Sequence, residues 1–291
     1  MSPWTASLPA RKTPHESEPE GSRFGRLRLA TAAALCLLAG ATMAQEPKVD
    51  AKIDAKIDPW PGLVTDIFHD RAITPHEGVV ALDAPKRAED AAIVPMTITL
   101  LAPGLRAATL VIDENPMPMA AAFSFGDGAG VQKIETRVRV NSYTNVHVVG
   151  RTADDALHSV VKFVKASGGC SAPAIKDQDE ADANLGKMKY REFASETPAL
   201  REAQIMIRHP NNSGMQMDPL TRAYLPAHYV DKVEVRQGDA LIFSMEGGIS
   251  LSEDPSFRFV YKPNGAKTIR VEAHDNQGGV FKGEWPIGGA S

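Results

Sequence analysis

From residue 79 onward the chain keeps returning to one pattern: short runs in which apolar and polar residues take turns, closed off by glycine, proline, asparagine or aspartate. Met96-Thr97-Ile98-Thr99-Leu100 and Ile134-Glu135-Thr136-Arg137-Val138-Arg139-Val140 show it most clearly. A period of two turns one face toward a core and the other toward water, as a half-buried strand requires. The pattern predicts strands over residues 79–82, 93–101, 107–113, 120–125, 133–140, 145–150 and 157–166, with breaks at Pro103-Gly104, Gly126-Asp127-Gly128 and Asp154-Asp155. It resumes at 203–208, 229–236, 240–245, 256–261, 268–273 and 280–285. There Gln237-Gly238-Asp239, Asn264-Gly265 and Asn276-Gln277-Gly278-Gly279 supply the turn chemistry. Neither half has the long helical periodicity that a parallel sheet with crossover helices needs.

The fold class that follows is all-β. Two antiparallel β-sandwich domains of immunoglobulin-like size, over residues 59–167 and 201–291, are joined by a flexible linker. One short helix precedes them, because Trp60, Leu63, Val64, Ile67 and Phe68 recur at helical spacing behind Pro59 and Pro61. Residues 168–200 carry an acidic cluster (Asp177, Asp179, Glu180, Asp182) and then a basic one (Lys187, Lys189, Arg191), and read as a solvated connector with little to bury. Upstream, Ala51-Lys52-Ile53-Asp54 repeats as Ala55-Lys56-Ile57-Asp58, a charged spacer over 45–58. Before it, Arg23, Arg26 and Arg28 lead into the apolar run 29–41 and small-residue cleavage candidates ending at Ala41 or Ala44. That is an export signal over 1–44 and implies a periplasmic protein. The run is shorter than the roughly 20 residues that span a bilayer, so the mature protein is read without a membrane span.

Composition narrows the partners. At 291 residues, 43% hydrophobic and 23% charged, the chain can bury substantial cores. A net charge of −4 offers no basic field for nucleic acid. Of the two cysteines, Cys36 lies inside the export signal and leaves with it, so Cys170 is the mature chain's single thiol and has no internal disulfide partner. It sits in Lys165-Ala166-Ser167-Gly168-Gly169-Cys170-Ser171-Ala172-Pro173, where Gly168 and Gly169 free the backbone and nothing provides an apolar face. The sequence therefore predicts an exposed thiol on a flexible arm.

The chemistry around that thiol is sparse. A cysteine of ordinary pKa, about 8.5, is only a few per cent thiolate at neutral pH, and no base adjoins it. This suits a carrier better than an enzyme, so no catalytic residue and no cofactor is assigned. Paired thioethers at Met117, Met119, Met215 and Met217, with His147, His209 and His228, raise a copper-handling alternative, but turn and core roles fit those residues better and no metal ligand is assigned. Asp154-Asp155 and Glu89-Asp90 fall at turns. Phosphate-loop, dinucleotide and zinc spacings are absent.

Several motifs carry a family resemblance. Asn115-Pro116-Met117-Pro118 before Ala122-Phe123-Ser124-Phe125, then Thr136-Arg137-Val138-Arg139 and the Gly168-Gly169-Cys170 ending, resemble SoxY, the carrier subunit of periplasmic sulfur oxidation. Arg208-His209-Pro210, Leu225-Pro226-Ala227-His228-Tyr229-Val230, Pro255-Ser256-Phe257-Arg258-Phe259 and His274-Asp275-Asn276-Gln277-Gly278-Gly279 resemble its partner SoxZ. With the Asp58-Pro59-Trp60-Pro61 entry, the chain looks like a quinoprotein dehydrogenase-associated SoxYZ-like carrier, its two domains fused. The resemblance implies that Cys170 is the covalent attachment point for a small-molecule cargo. It also implies periplasmic enzyme partners such as a quinoprotein dehydrogenase or a c-type cytochrome. A non-covalent adaptor or maturation partner of such a dehydrogenase is the alternative. In SoxY the Gly-Gly-Cys arm ends the chain, whereas here a linker and a domain follow it.

Overall fold

The computed structural model describes residues 57–173, 178–218 and 221–288; residues 1–44, read above as an export signal, with Cys36 and all but the end of the spacer, lie outside them. Helix α1 (Trp60–Phe68) starts behind Pro59 and closes on a left-handed His69, whose N–H bonds Thr65 O at 3.0 Å. Eight strands follow: β1 (Ile73–Pro75), β2 (Val80–Asp83), β3 (Val94–Leu100), β4 (Ala107–Ile112), β5 (Met119–Phe125), β6 (Lys133–Val138), β7 (Thr144–Arg151) and β8 (Leu157–Val164). Helix α2 (Gln178–Ala183) leads to β9 (Met188–Phe193), β10 (Arg201–Ile207), β11 (Val230–Gln237), β12 (Ala240–Gly247), β13 (Ser256–Tyr261), β14 (Thr268–Asp275) and β15 (Val280–Pro286).

These strands form two sheets, and both run through both halves of the chain. One is nine-stranded, in the order β1-β8-β7-β4-β5-β12-β11-β14-β15, and the other six-stranded, β2-β3-β6-β13-β10-β9. The halves join where β5 pairs β12 antiparallel, Phe123 opposite Met245, and where β6 pairs β13, Ile134 opposite Phe259. Each domain would otherwise show an open edge at these positions, and pairing the edges satisfies their backbone groups. The inward residues of both sheets make one continuous core. At its centre Phe123, Phe243, Phe257 and Phe259 meet edge to face or tilted, with ring centroids 5.2–6.3 Å apart. A smaller cluster lies on the outer face of the nine-stranded sheet, where α1 covers Val111, Val149 and Leu157 with Phe68, Leu63 and Trp60.

All the strands read from the alternation are present. Two more exist, and one corrects the reading of the linker. Met188-Lys189-Tyr190-Arg191-Glu192-Phe193 is the edge strand β9, paired along its length with β10. Met188 and Tyr190 pack on the core, while Lys189 and Arg191 face water. The basic cluster is therefore the solvent side of a strand. The short β1 pairs β8 in parallel and owes its place to α1 before it.

Candidate functional site

Beyond β8 the chain stays close to the sandwich. Lys165 forms a parallel bridge with Arg87, its N–H bonding Lys86 O and its carbonyl accepting the Ala88 N–H, each at 3.0 Å. Gly168, at φ 77°, gives its N–H to Asn141 O at 2.8 Å, and Gly169 gives its own to Val140 O at 3.1 Å. The arm thus lies against the chain that continues out of β6. Gly169 fits there because it has no side chain. A Cβ would stand 2.1 Å from Ala91 O and 2.7 Å from Val140 O. The second glycine of the motif is needed for close approach of backbone, and its role is docking.

The thiol that follows is fully buried, with 0% of Cys170 exposed. This overturns the exposed arm read from the small-residue run: the groups that hold the arm down come from distant segments, which periodicity along the arm cannot reveal. Burial pushes the thiol up to about 11, opposed by the charge of Arg139. In this seat the sulfur is a neutral thiol at physiological pH.

Both domains hold the seat. From the first, Arg139 Nη1 donates to Gly169 O at 3.1 Å; from the second, Ser213 Oγ donates to the carbonyl of Cys170 itself. Arg139 Nη2 reaches across to Asn211 O at 3.4 Å. The guanidinium is 1% exposed, and its Nε–H has no partner among the described residues. The loop 209–217 that supplies Ser213 is itself tied down. Ser213 N–H bonds Gln216 Oε1 at 2.8 Å, and the Asn211 side chain bonds Leu251 O and the Val230 N–H at 3.2 and 3.0 Å.

Asn115 explains why the Asn-Pro-Met-Pro motif matters. Its Nδ2 donates to Arg139 O at 2.7 Å and to Ser250 Oγ at 2.9 Å, and its Oδ1 accepts the Asn141 N–H at 2.9 Å. One buried amide thus fixes the strand end that carries Arg139, the segment that receives Gly168, and the 250–252 turn of the second domain. Ser250 Oγ donates in turn to Met117 O at 2.6 Å, and Ser252 Oγ to Ala92 O at 2.7 Å.

The histidines have other tasks. His147 stacks on Trp60, with centroids 3.6 Å apart, and bonds Asp113 at 3.2 Å, which seats α1. Among the described residues, one trio of metal-type side chains converges: His209, His228 and Asp275. Asp275 Oδ1 accepts the Gln277 and Gly279 N–H groups at 2.9 and 2.7 Å, and its Oδ2 lies 2.8 Å from His228 Nε2 and 3.5 Å from His209 Nε2. The hydrogen bonding argues against ligation. His209 Nδ1 accepts the Asn211 N–H at 3.1 Å, so the neutral ring carries its proton on Nε2, the nitrogen that faces the carboxylate. Burial, first, and the neighbouring His228 push His209 down to about 4. The trio braces the loop that holds Cys170 in place, and Cys170 is not one of its members.

Two family models match the chain in tandem. SoxY, "Sulfur oxidation protein SoxY", matches residues 64–170, and SoxZ, "Sulphur oxidation protein SoxZ", matches residues 190–286. The first match ends on Cys170. The chain is a fused SoxYZ-like protein. Together the matches cover more than two thirds of the 291 residues. Among solved structures, the sulfur carrier protein SoxY from Chlorobium limicola f thiosulfatophilum aligns at 24% identity and a TM-score of 0.33, covering 37% of this chain and 91% of that one. A β-glycosidase from Bacteroides vulgatus aligns at 9% identity and a TM-score of 0.23, over 72% of this chain and 24% of its own. No curated protein matches the sequence. Arg139, Asn115, Asn211 and Ser213 are the residues that sequence reasoning missed as part of the site. The motifs of Asn115 and Arg139 were visible, but the convergence of all four on one thiol requires the fold.

Proposed function

We propose that this fused SoxYZ-like protein is a periplasmic carrier that holds a small pathway intermediate covalently on Cys170 and presents it to partner enzymes. Its own residues are not catalysts in this reading. The observation that carries it is that the SoxY match ends on the chain's one thiol outside the export signal, seated where the two domains meet. The docked thiol is a resting state: buried, protonated, and with no titratable base hydrogen-bonded to it among the described residues. A partner enzyme draws the arm out, and a released thiol returns to its ordinary pKa of about 8.5. Residues 165–170, extended at roughly 3.3 Å each, then reach about 20 Å, enough to enter a deep cofactor channel. Because the chain continues past Cys170, the arm enters as a hairpin. A quinoprotein dehydrogenase or a c-type cytochrome is the partner class for this reading, with sulfur oxidation as the related system.

The second reading is a non-covalent adaptor of such a dehydrogenase, favoured by the same burial, in which Cys170 is a packing residue. A strain carrying Cys170→Ser separates the two. The carrier loses pathway turnover while the protein still folds and still co-purifies with its dehydrogenase. Full turnover in that strain is the adaptor's outcome and sinks the carrier.

A further inference from the structure

Arg139 is a deeply buried charge. It is 1% exposed, both of its hydrogen bonds go to backbone carbonyls, and it forms no ion pair among the described residues. Burying a guanidinium in that state is costly, and two carbonyl contacts could be made by a neutral side chain without the cost. Cys170, Glu253 and Asp90 favour its charged form through space. Among its other donors the Nε–H is buried and, among the described residues, unpartnered, as is Gln216 Nε2 in the Ser213 loop. A buried cation with a spare N–H, beside the arm that carries one thiol, is a donor that an anion completes.

We infer that Arg139 is the recognition residue for the negative end of whatever Cys170 carries, so that an arm loaded with an anionic group redocks between the domains while an arm loaded with a neutral group stays out. The inference rests on the carrier reading for its biological sense, but its chemistry concerns only the seat. An adduct on sulfur removes the S–H and adds volume to a closed packing, which on size alone ejects the arm. A negative adduct recovers the loss by pairing with the guanidinium in a low-dielectric site, where charge-assisted bonds are about twice as strong as neutral ones. Loaded cargo is thereby held away from water and stray thiols until a partner competes for it.

The test places two adducts on Cys170 of the full chain. Sulfite and tetrathionate convert the thiol to the S-sulfonate, Cys–S–SO3⁻: the thiol displaces thiosulfate from tetrathionate and releases a proton, and sulfite then displaces a second thiosulfate from the Cys–S–S–SO3⁻ formed. Methyl methanethiosulfonate gives the smaller, neutral Cys–S–S–CH3 and methanesulfinic acid. Hydrogen exchange of the 168–171 amides reports docking. The S-sulfonate is expected to exchange within about threefold of the unmodified chain, and the S-methylthio form at least tenfold faster, although it is the smaller group. Arg139→Lys keeps this order, and Arg139→Gln abolishes it. Equal exchange for the two adducts in the native chain overturns the inference without any variant, so the comparison stands even where Arg139→Gln fails to fold. Because both adducts are installed chemically, that outcome leaves the carrier function itself intact, while turnover in the Cys170→Ser strain leaves this result intact.

Discussion

Replacing Gly169 by alanine tests the docked arm with the smallest perturbation available. The added methyl would meet Ala91 O at 2.1 Å and Val140 O at 2.7 Å, both backbone atoms that cannot swing aside, so the arm must leave its seat. Leaving gives up the amide bonds of Gly168 and Gly169, the Arg139 bond to Gly169 O and the Ser213 bond to Cys170 O. At about 1 kcal/mol net for each, the docked arm is held by about 4 kcal/mol, which leaves roughly one native molecule in a thousand open. A released thiol of pKa about 8.5 is about one quarter thiolate at pH 8. The docked thiol, at about 11, is almost wholly protonated as well as covered. Gly169→Ala is therefore expected to react with an aromatic disulfide reagent about 100 to 1000 times faster than the native chain at pH 8. Its far-ultraviolet circular dichroism should stay native, because no strand of either sheet passes through Gly169. A native chain that reacts within threefold of the variant refutes the docked arm.

Other consequences follow from the same geometry. Burial raises the Cys170 pKa, so docking is complete below about pH 8.5 and weakens as pH climbs toward about 11; native labelling should keep rising tenfold per pH unit past pH 9, where Gly169→Ala levels off. His209, depressed to about 4, binds fewer protons folded than unfolded between pH 6.5 and 4, so stability falls by up to about 3 kcal/mol as pH drops through that window. His209→Gln should flatten this part of the denaturation profile. Phe243→Ala empties the centre of the shared aromatic cluster at a cost of about 3–5 kcal/mol, and because both sheets cross from one domain to the other, chemical denaturation should remain one transition by fluorescence and circular dichroism alike. Trp60→Ala removes the stack on His147 and should release α1 at a cost of about 1–3 kcal/mol, seen as lost exchange protection confined to residues 60–68.

The fold was written in the alternation to a degree that the site was not. Period-two runs placed the strands because each has one face on the core, as β6 and β14 do residue by residue. Edge strand β9 was lost among charges, since Lys189, Arg191 and Glu192 overrode the Met188-Tyr190 beat that packs inward. Arg139 shows the limit of pattern reading. The alternation puts it on the outward face with Glu135 and Arg137, and it does lie there, but the arm and the 209–214 loop cover that face. Likewise Gly168-Gly169-Cys170 has the composition of a free tether. What buries it is backbone-to-backbone approach, which small residues permit and sequence periodicity does not record.

The central claim is that Cys170 carries a covalent group in the cell. The intact mass of the protein purified from its native cells, before and after a thiol reductant, addresses it directly. The account predicts a population heavier than the unmodified chain, returned to the unmodified mass by reductant and missing in Cys170→Ser. An unmodified Cys170 in every preparation, from cells actively running the pathway, contradicts it.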